Sequence, residues 1–204
     1  MTTALVDYGA GNLTSVIKAL VASGTGVDVV SSPDRLSGAS AIVIPGVGHF
    51  GRTASLDEPW RRAIRSRIAA ETPVLGICLG LHWLFDGSDE APGIAGLGIF
   101  HGRCARLQGD VKVPHVGWNA LELTGRTSRL LDGIARGAFA YFSHSYAAAV
   151  ADDAVATTTH GHAFVSVVER GGVFGTQFHP EKSDATGLRV LANFVSISAA
   201  GKPC

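Results

Sequence analysis

Residues 74–85, VLGICLGLHWLF, pass from an apolar, β-prone run straight into helical spacing, and the joint is Gly76-Ile77-Cys78-Leu79-Gly80. A strand, a sharp turn and a helix packed into a dozen residues leave few folds open. The cysteine sits where the backbone must turn most tightly. Either it is a small apolar filler beside two convenient glycines, or it is a nucleophile displayed by a strand–turn–helix joint of the form G-x-[SC]-x-G.

The flanking sequence chooses the architecture. ALVDYG reads as a short buried strand, NLTSVIKALVASG as a helix with Leu13, Val16, Ile17 and Leu20 on one face and a stop at Gly24, and VDVVSS as a second strand. AIVIPGVG is a third, almost without polar alternation, as expected when both faces of a sheet are covered. A helix within 54–70 places Leu56, Trp60, Ile64 and Ile68 together, and PVLGI with LGLHWLF repeats the strand–helix pattern. This alternation predicts an α/β fold with an open, mostly parallel twisted sheet flanked by helices. The second half changes character. RCARLQ, NALELT, GAFAYFSHSY, AVATTTH, HAFVSVVER and GVFGTQF are short, rich in β-branched and aromatic residues, and separated by turn residues, which predicts additional antiparallel or mixed strands. ATGLRVLANFVSI returns to helical spacing. No repeat, low-complexity segment or linker interrupts residues 1–204, so one domain is expected.

Composition narrows the function classes. Lys plus Arg (17) balance Asp plus Glu (17), which argues against a protein that tracks nucleic-acid phosphates. No apolar run approaches the ~20 residues of a membrane span, and MTTALVDYGAGN has no secretory pattern, so a cytoplasmic location is expected. The three cysteines, Cys78, Cys104 and Cys204, are widely spaced without CxxC pairing, which makes a metal centre or a disulfide framework a poor reading.

If Cys78 is a nucleophile, the following helix would favour its thiolate, and the Leu79 N–H could stabilise an oxyanion. A thiolate needs a base. Of the eight histidines, His49, His82, His101, His115, His144, His160, His162 and His179, the last is the best candidate. It ends the strand-like GVFGTQF, Pro180 restricts the backbone after it, and Glu181 could orient its imidazole. His82, one turn beyond Cys78, could line the same pocket, whereas His160 and His162 flank a glycine in a polar turn and are expected to be solvated. PGVG at 45–48 ends the third strand, and its glycines would let backbone N–H groups approach a ligand.

GICLG together with QFHPEKS resembles the class I, triad-type glutamine amidotransferases. DYGAGNL, PGVGHFG, EAPGIAGLGIFHG, VPHVGWN, YFSHSY and GTQFHPEKS extend the resemblance along nearly the whole chain, and within that family they are most similar to the glutaminase subunits of imidazole glycerol phosphate synthases. The resemblance implies that Cys78 attacks the glutamine side-chain amide, that His179 exchanges protons with it, and that Glu181 holds His179. It implies oxyanion donors from Leu79 and from the Gly46–Val47 backbone, with a rearrangement of PGVG on activation that the glycines would make inexpensive. It places glutamine against Gly48, His82, Glu90, Ser145 and Tyr146. It also implies a separate (βα)8-barrel synthase partner that consumes the ammonia, contacted near Asn12, Trp118, Asn119 and Tyr141, and no cofactor or metal. His82 departs from the family, whose members usually carry Gln there; its imidazole could donate to substrate with weaker glutamine binding or added pH dependence near neutrality, or it could pack against Trp83 and contribute little. A stand-alone cysteine hydrolase and a non-catalytic scaffold built on the same fold are the competing readings.

Overall fold

A computed structural model describes residues 2–200, so Cys204 lies outside the described residues. In chain order the elements are β1 (Thr2–Val6), α1 (Leu13–Ala22), β2 (Gly26–Val30), β3 (Ala41–Ile44), α2 (Glu58–Ala69), β4 (Val74–Ile77), α3 (Leu79–Leu84), β5 (Gly87–Ser88), β6 (Arg103–Arg106), β7 (His115–Ala120), β8 (Glu122–Leu123), β9 (Phe139–His144), β10 (Tyr146–Ala148), β11 (Ala154–His160), β12 (His162–Arg170), β13 (Val173–Thr176) and α4 (Asp184–Ala200). The strand–helix alternation of the first half and the strand-rich second half both match the expectation from sequence.

Eight strands form one sheet in the order β2-β1-β3-β4-β13-β12-β11-β8. The pairings β1–β2, β1–β3, β3–β4 and β4–β13 are parallel, and the remaining three are antiparallel. The short apolar strands β3 and β4 lie in the middle of this sheet and are buried at every position. Alternate residues of the central strands feed two cores. Ala4, Val6, Ile42, Ile44 and Val74 pack with Trp60 and Ile64 of α2 and with Leu79, Leu81 and Trp83 of α3. Leu5, Ala41, Val43, Leu75 and Ile77 pack with Val16 and Leu20 of α1 and with Val190, Leu191 and Phe194 of α4. Each fully buried large apolar side chain contributes roughly 1.5–3 kcal/mol, so the sheet is held from both sides.

Two smaller sheets sit beside it: β10-β6-β5, and the antiparallel ribbon β7–β9. In the ribbon Val116 faces Ser143, Trp118 faces Tyr141 and Ala120 faces Phe139. The period of two sends His115 and His144 inward and leaves Val116, Trp118 and Phe139 exposed. No helix among the described residues is long and apolar enough to cross a membrane.

Candidate active site

β4 and β13 are parallel neighbours, with Ile77 level with Thr176. The residues just past their carboxyl ends are Cys78 on one strand and Gln177, Phe178 and His179 on the other. Ninety-nine residues of separation thus collapse to one sheet edge, where open α/β folds bind ligands.

Cys78 has φ 52° and ψ −103°. Positive φ is uncommon for a residue with a Cβ and stores backbone strain. Backbone bonds hold it there: Cys78 N–H donates to Thr176 O at 2.7 Å, and His82 N–H donates to Cys78 O at 3.0 Å. The glycines on either side are required by space. A Cβ at Gly76 would meet the Gly80 carbonyl at 2.7 Å, and one at Gly80 would overlap the Ile44 carbonyl. α3 therefore sits directly on the sheet and turns the sulfur toward the edge.

His179 Nδ1 lies 2.8 Å from Glu181 Oε1, with both side chains only 3% exposed. The imidazole also hydrogen-bonds Cys78, so the ring has the sulfur and the carboxylate as its two partners. Burial acts to lower the His179 pKa, but the Cys78 charge and hydrogen bond and the Glu181 hydrogen bond and charge outweigh it, raising it to about 10. The imidazole thus keeps its proton well above neutrality when the sulfur is ionised. Backbone groups position His179 as well. His179 N–H donates to Tyr141 O at 3.0 Å, Tyr141 N–H donates to Ser183 Oγ at 2.9 Å, and Ser183 Oγ–H donates to His179 O at 2.7 Å. The first two of these bonds tie the ribbon strand β9 to the loop that carries His179, and the third closes that loop on itself.

A cleft of about 370 Å³ opens beside the sulfur, within the usual size for a small-molecule site. Gly48, His82, Glu90, Ser145 and Tyr146, which sequence resemblance grouped together, all line it. So do Pro114 and Ser143, which sequence reasoning left out, and His49 and His144, which it weighed only as candidate bases. Glu90 is held by Phe50 N–H, which donates to its Oε2 at 2.7 Å.

His82 lines the cleft as expected, but its chemistry differs from the expectation. Its Nε2 lies 2.9 Å from Gln177 Oε1, an atom that only accepts, so the ring proton is committed to Gln177. Gln177 Nε2 in turn points at Cys78 Sγ, 3.8 Å away. In the neutral ring this leaves only Nδ1, an acceptor. Burial lowers the His82 pKa, against the Gln177 hydrogen bond and the Glu90 charge, which moves its titration away from neutrality rather than onto it. Gln177 was missed as a site residue; the available signal was an amide in an otherwise apolar strand end, two residues before the base.

A second imidazole chain lies behind the cleft. His144 Nδ1 is 3.0 Å from Tyr146 O, so it donates, and its Nε2 must accept from His115 Nδ1, also 3.0 Å away. His115 Nε2 then accepts from Asn119 Nδ2 at 3.2 Å. Burial, partly opposed by the Tyr146 carbonyl, lowers His144 to about 3, with the charges of His82, His115 and His160 acting in the same direction as burial. Burial and the His160 charge lower His115 to about 4. His160 was expected to be solvated, yet its ring stacks on His115 with centroids 4.2 Å apart and its Nε2 reaches Lys112 O at 2.8 Å. Hairpin pairing of His160 with His162 brings it against the ribbon, while His162 remains exposed.

The expected oxyanion hole is not assembled. Leu79 N–H donates to Gly46 O at 3.3 Å, so a carbonyl occupies the donor meant for the oxyanion. Turning the Gly46–Val47 peptide over would free that N–H, but it changes ψ of Gly46 and φ of Val47 together. The glycine accommodates its share freely; a β-branched valine driven toward positive φ does so only under strain. The rearrangement is therefore more costly than two flanking glycines alone would suggest.

Among the residues expected at an interface, Asn12 is exposed and Trp118 is 51% exposed, so Trp118 is not a core aromatic. It meets the half-buried Tyr141 edge-on, centroids 6.1 Å apart. Asn119 points to the opposite face of the ribbon, where its amide bonds His115 and Thr159 O. Among the described residues, no group of three or more His, Cys, Asp or Glu side chains is arranged to hold a metal ion.

Residues 4–197 match the family described as Glutamine amidotransferase class-I. The chain is 46% identical to the imidazole glycerol phosphate synthase subunit HisH of Halobacterium salinarum, over 96% of this chain and 93% of that protein. It is also 46% identical to the HisH subunit of Thermococcus kodakarensis, over 94% of this chain and 97% of that protein. Among solved structures, a chain of PurLQS from Thermotoga maritima superimposes with a TM-score of 0.77 at 18% identity, covering 96% of this chain and 97% of that one. The glutaminase domain of Trypanosoma brucei CTPS superimposes with a TM-score of 0.74 at 16% identity, covering 100% of this chain and 96% of that one. At such identities these two report the fold alone.

Proposed function

Because the chain belongs to the class I glutamine amidotransferase family, we propose that it is the glutaminase subunit of an imidazole glycerol phosphate synthase, working as one domain over residues 1–204. The observation that carries the chemistry is the convergence of Cys78, His179 and Glu181 beside the 370 Å³ cleft.

The thiolate of Cys78 attacks the side-chain amide carbon of glutamine, forming a C–S bond and placing negative charge on the amide oxygen. Leu79 N–H and the turned Gly46–Val47 peptide donate to that oxyanion. The His179 imidazolium gives its proton to the nitrogen as the C–N bond breaks, releasing ammonia and leaving a thioester. His179, now neutral, takes a proton from water, which displaces the sulfur to give glutamate. Glu181 keeps the ring aligned and balances its charge. Gly48, His82, Glu90, Ser145 and Tyr146 surround the amino-acid end of glutamine.

Ammonia released into water would be protonated and lost as a nucleophile, so a partner must take it directly. That partner is a separate (βα)8-barrel synthase subunit, and the pair works in the cytoplasm in histidine biosynthesis. The exposed ribbon face of Val116, Trp118 and Phe139 supports a docking surface, with Asn12 and Tyr141 as further contacts and Asn119 acting from behind.

The test is to mix the purified chain with its synthase partner and measure glutamate release. Cys78→Ala and His179→Asn are each expected to lose about 10³-fold or more in kcat while still binding the partner. Full activity in Cys78→Ala would end this reading. Strong hydrolysis without the partner would favour a stand-alone hydrolase instead.

A further inference from the structure

Building on the glutaminase reading above, the unassembled oxyanion hole poses a hydrogen-bond accounting problem. When the Gly46 carbonyl leaves Leu79 N–H, a buried acceptor must find another donor or bear the cost of having none. What surrounds Gly46 limits the choice. A Cβ at Gly46 would overlap Tyr8 Oη, lie 2.7 Å from Leu79 Cβ and approach Ala10 O at 3.3 Å. The Leu79 methylene offers nothing, and the Ala10 carbonyl only accepts. Tyr8 Oη is the one donor of the three.

Tyr8 is also free to act. It is 8% exposed, yet its buried hydroxyl has no hydrogen-bond partner in the resting arrangement. A buried phenol normally finds one. The other donor nearby, Arg52, sits beside Gly48 rather than among the atoms nearest Gly46, and its guanidinium reaches Gly9 O at 2.8 Å. Burial and the neighbouring Cys78 charge raise the Tyr8 pKa, with Arg52 opposing, so the hydroxyl keeps its proton. The structure therefore holds a protonated, unsatisfied donor against the one backbone unit whose carbonyl must relocate.

We propose that Tyr8 is a positioning residue of the glutaminase, whose hydroxyl receives the Gly46 carbonyl when that carbonyl leaves the Leu79 N–H, and so stabilises the assembled oxyanion hole. The hydroxyl is unsatisfied in the resting state and satisfied in the active one. It offsets part of the strain that turning the peptide imposes on Val47. Tyr8 touches no reacting atom; it acts through Gly46.

Tyr8→Phe removes the hydroxyl and keeps the ring. In the assembled complex, kcat for glutamine hydrolysis is expected to fall roughly five- to tenfold, about the worth of one net hydrogen bond, with KM within twofold of wild type. Thermal unfolding of the isolated chain is expected to be unchanged or to shift upward, because an unsatisfied buried hydroxyl has been removed. A kcat within twofold of wild type overturns the proposal. So does a lowered Tm, which would mean the hydroxyl is already bonded at rest, and that reading is available whether or not the chain is a glutaminase. A wild-type complex that releases no glutamate overturns the glutaminase reading and this proposal together, whereas an active wild type with an equally active Tyr8→Phe overturns this proposal alone. A crystal structure of the complex, soaked with the aldehyde analogue of glutamine to form a Cys78 thiohemiacetal, should place Tyr8 Oη about 3 Å from Gly46 O; a hydroxyl still lacking that contact would sink the idea.

Discussion

At the residue scale, the site works through paired demands on single side chains. Cys78 accepts a positive φ that few residues with a Cβ adopt, and so presents its sulfur. His179 is buried, which alone would strip its proton, yet Cys78 and Glu181 hold that proton in place. The sign of this balance is testable. The Glu181 hydrogen bond and charge both raise the His179 pKa, so Glu181→Gln must lower it. In the proposed mechanism the His179 imidazolium protonates the leaving ammonia, and it is lost as pH rises through about 10 in the wild type. In Glu181→Gln the alkaline limb of kcat should move to lower pH, with a loss on the order of 10²- to 10⁴-fold at the optimum. An unmoved limb would show that Glu181 supplies alignment only. Gln177 and Tyr8 belong at this scale too, and neither was legible as a site residue. One is an ordinary amide and the other an ordinary aromatic until the fold sets them against Cys78 and Gly46.

At the element scale, the elbow depends on how closely α3 lies on the sheet. Gly80 has no room for a methyl group, because the Ile44 carbonyl occupies its place, and backbone atoms cannot rotate aside as side chains can. Gly80→Ala should cost roughly 1–3 kcal/mol, toward the upper end, by forcing α3 off β3. It should also displace Cys78 and depress glutaminase activity. Urea denaturation gives the first quantity and glutamate release the second; a variant with wild-type values in both would contradict the close-approach account. The ribbon β7–β9 shows the complementary point. Its outer face carries Trp118 and Phe139, its inner face carries the His115–His144 chain, and its strand β9 is bonded to the His179 loop through Tyr141 and Ser183. The ribbon that exposes Trp118 and Phe139 is therefore also bonded to the loop that carries His179.

At the scale of the whole molecule, the buried neutral imidazoles link stability to acidity. His144 has a folded-state pKa of about 3, below the ordinary 6.5. The unfolded chain binds the proton more readily, so the stability contributed by neutral His144 is present above about 6.5 and is lost as pH falls from there toward about 3. Within that window His144 adds a slope of up to about 1.4 kcal/mol per pH unit. His115 acts in the same direction. Urea midpoints measured across the window should fall steeply in the wild type and less steeply in His144→Gln. Equal slopes would assign the acid sensitivity elsewhere.

Much of this protein could be read before it folded. The period of the apolar residues determined the alternation of strands and helices, because burial on two faces or one leaves different spacings in the chain. The glycines around Cys78 and the order Gln-Phe-His-Pro-Glu-Lys pointed to Cys78, His179 and Glu181 as candidate nucleophile, base and orienter, because those roles demand particular atoms and particular backbone freedom. What spacing along the chain could not supply was contact between segments far apart. Only the parallel pairing of β4 with β13 set Cys78 beside His179. Only the close packing of β1, PGVG and α3 left the Tyr8 hydroxyl unsatisfied against Gly46, with the Gly46 carbonyl on Leu79 N–H. Hydrogen bonds and charge effects act over a few ångströms in space, whatever the separation in sequence. Residue types and their local order set which groups were available, and tertiary packing decided which of them meet.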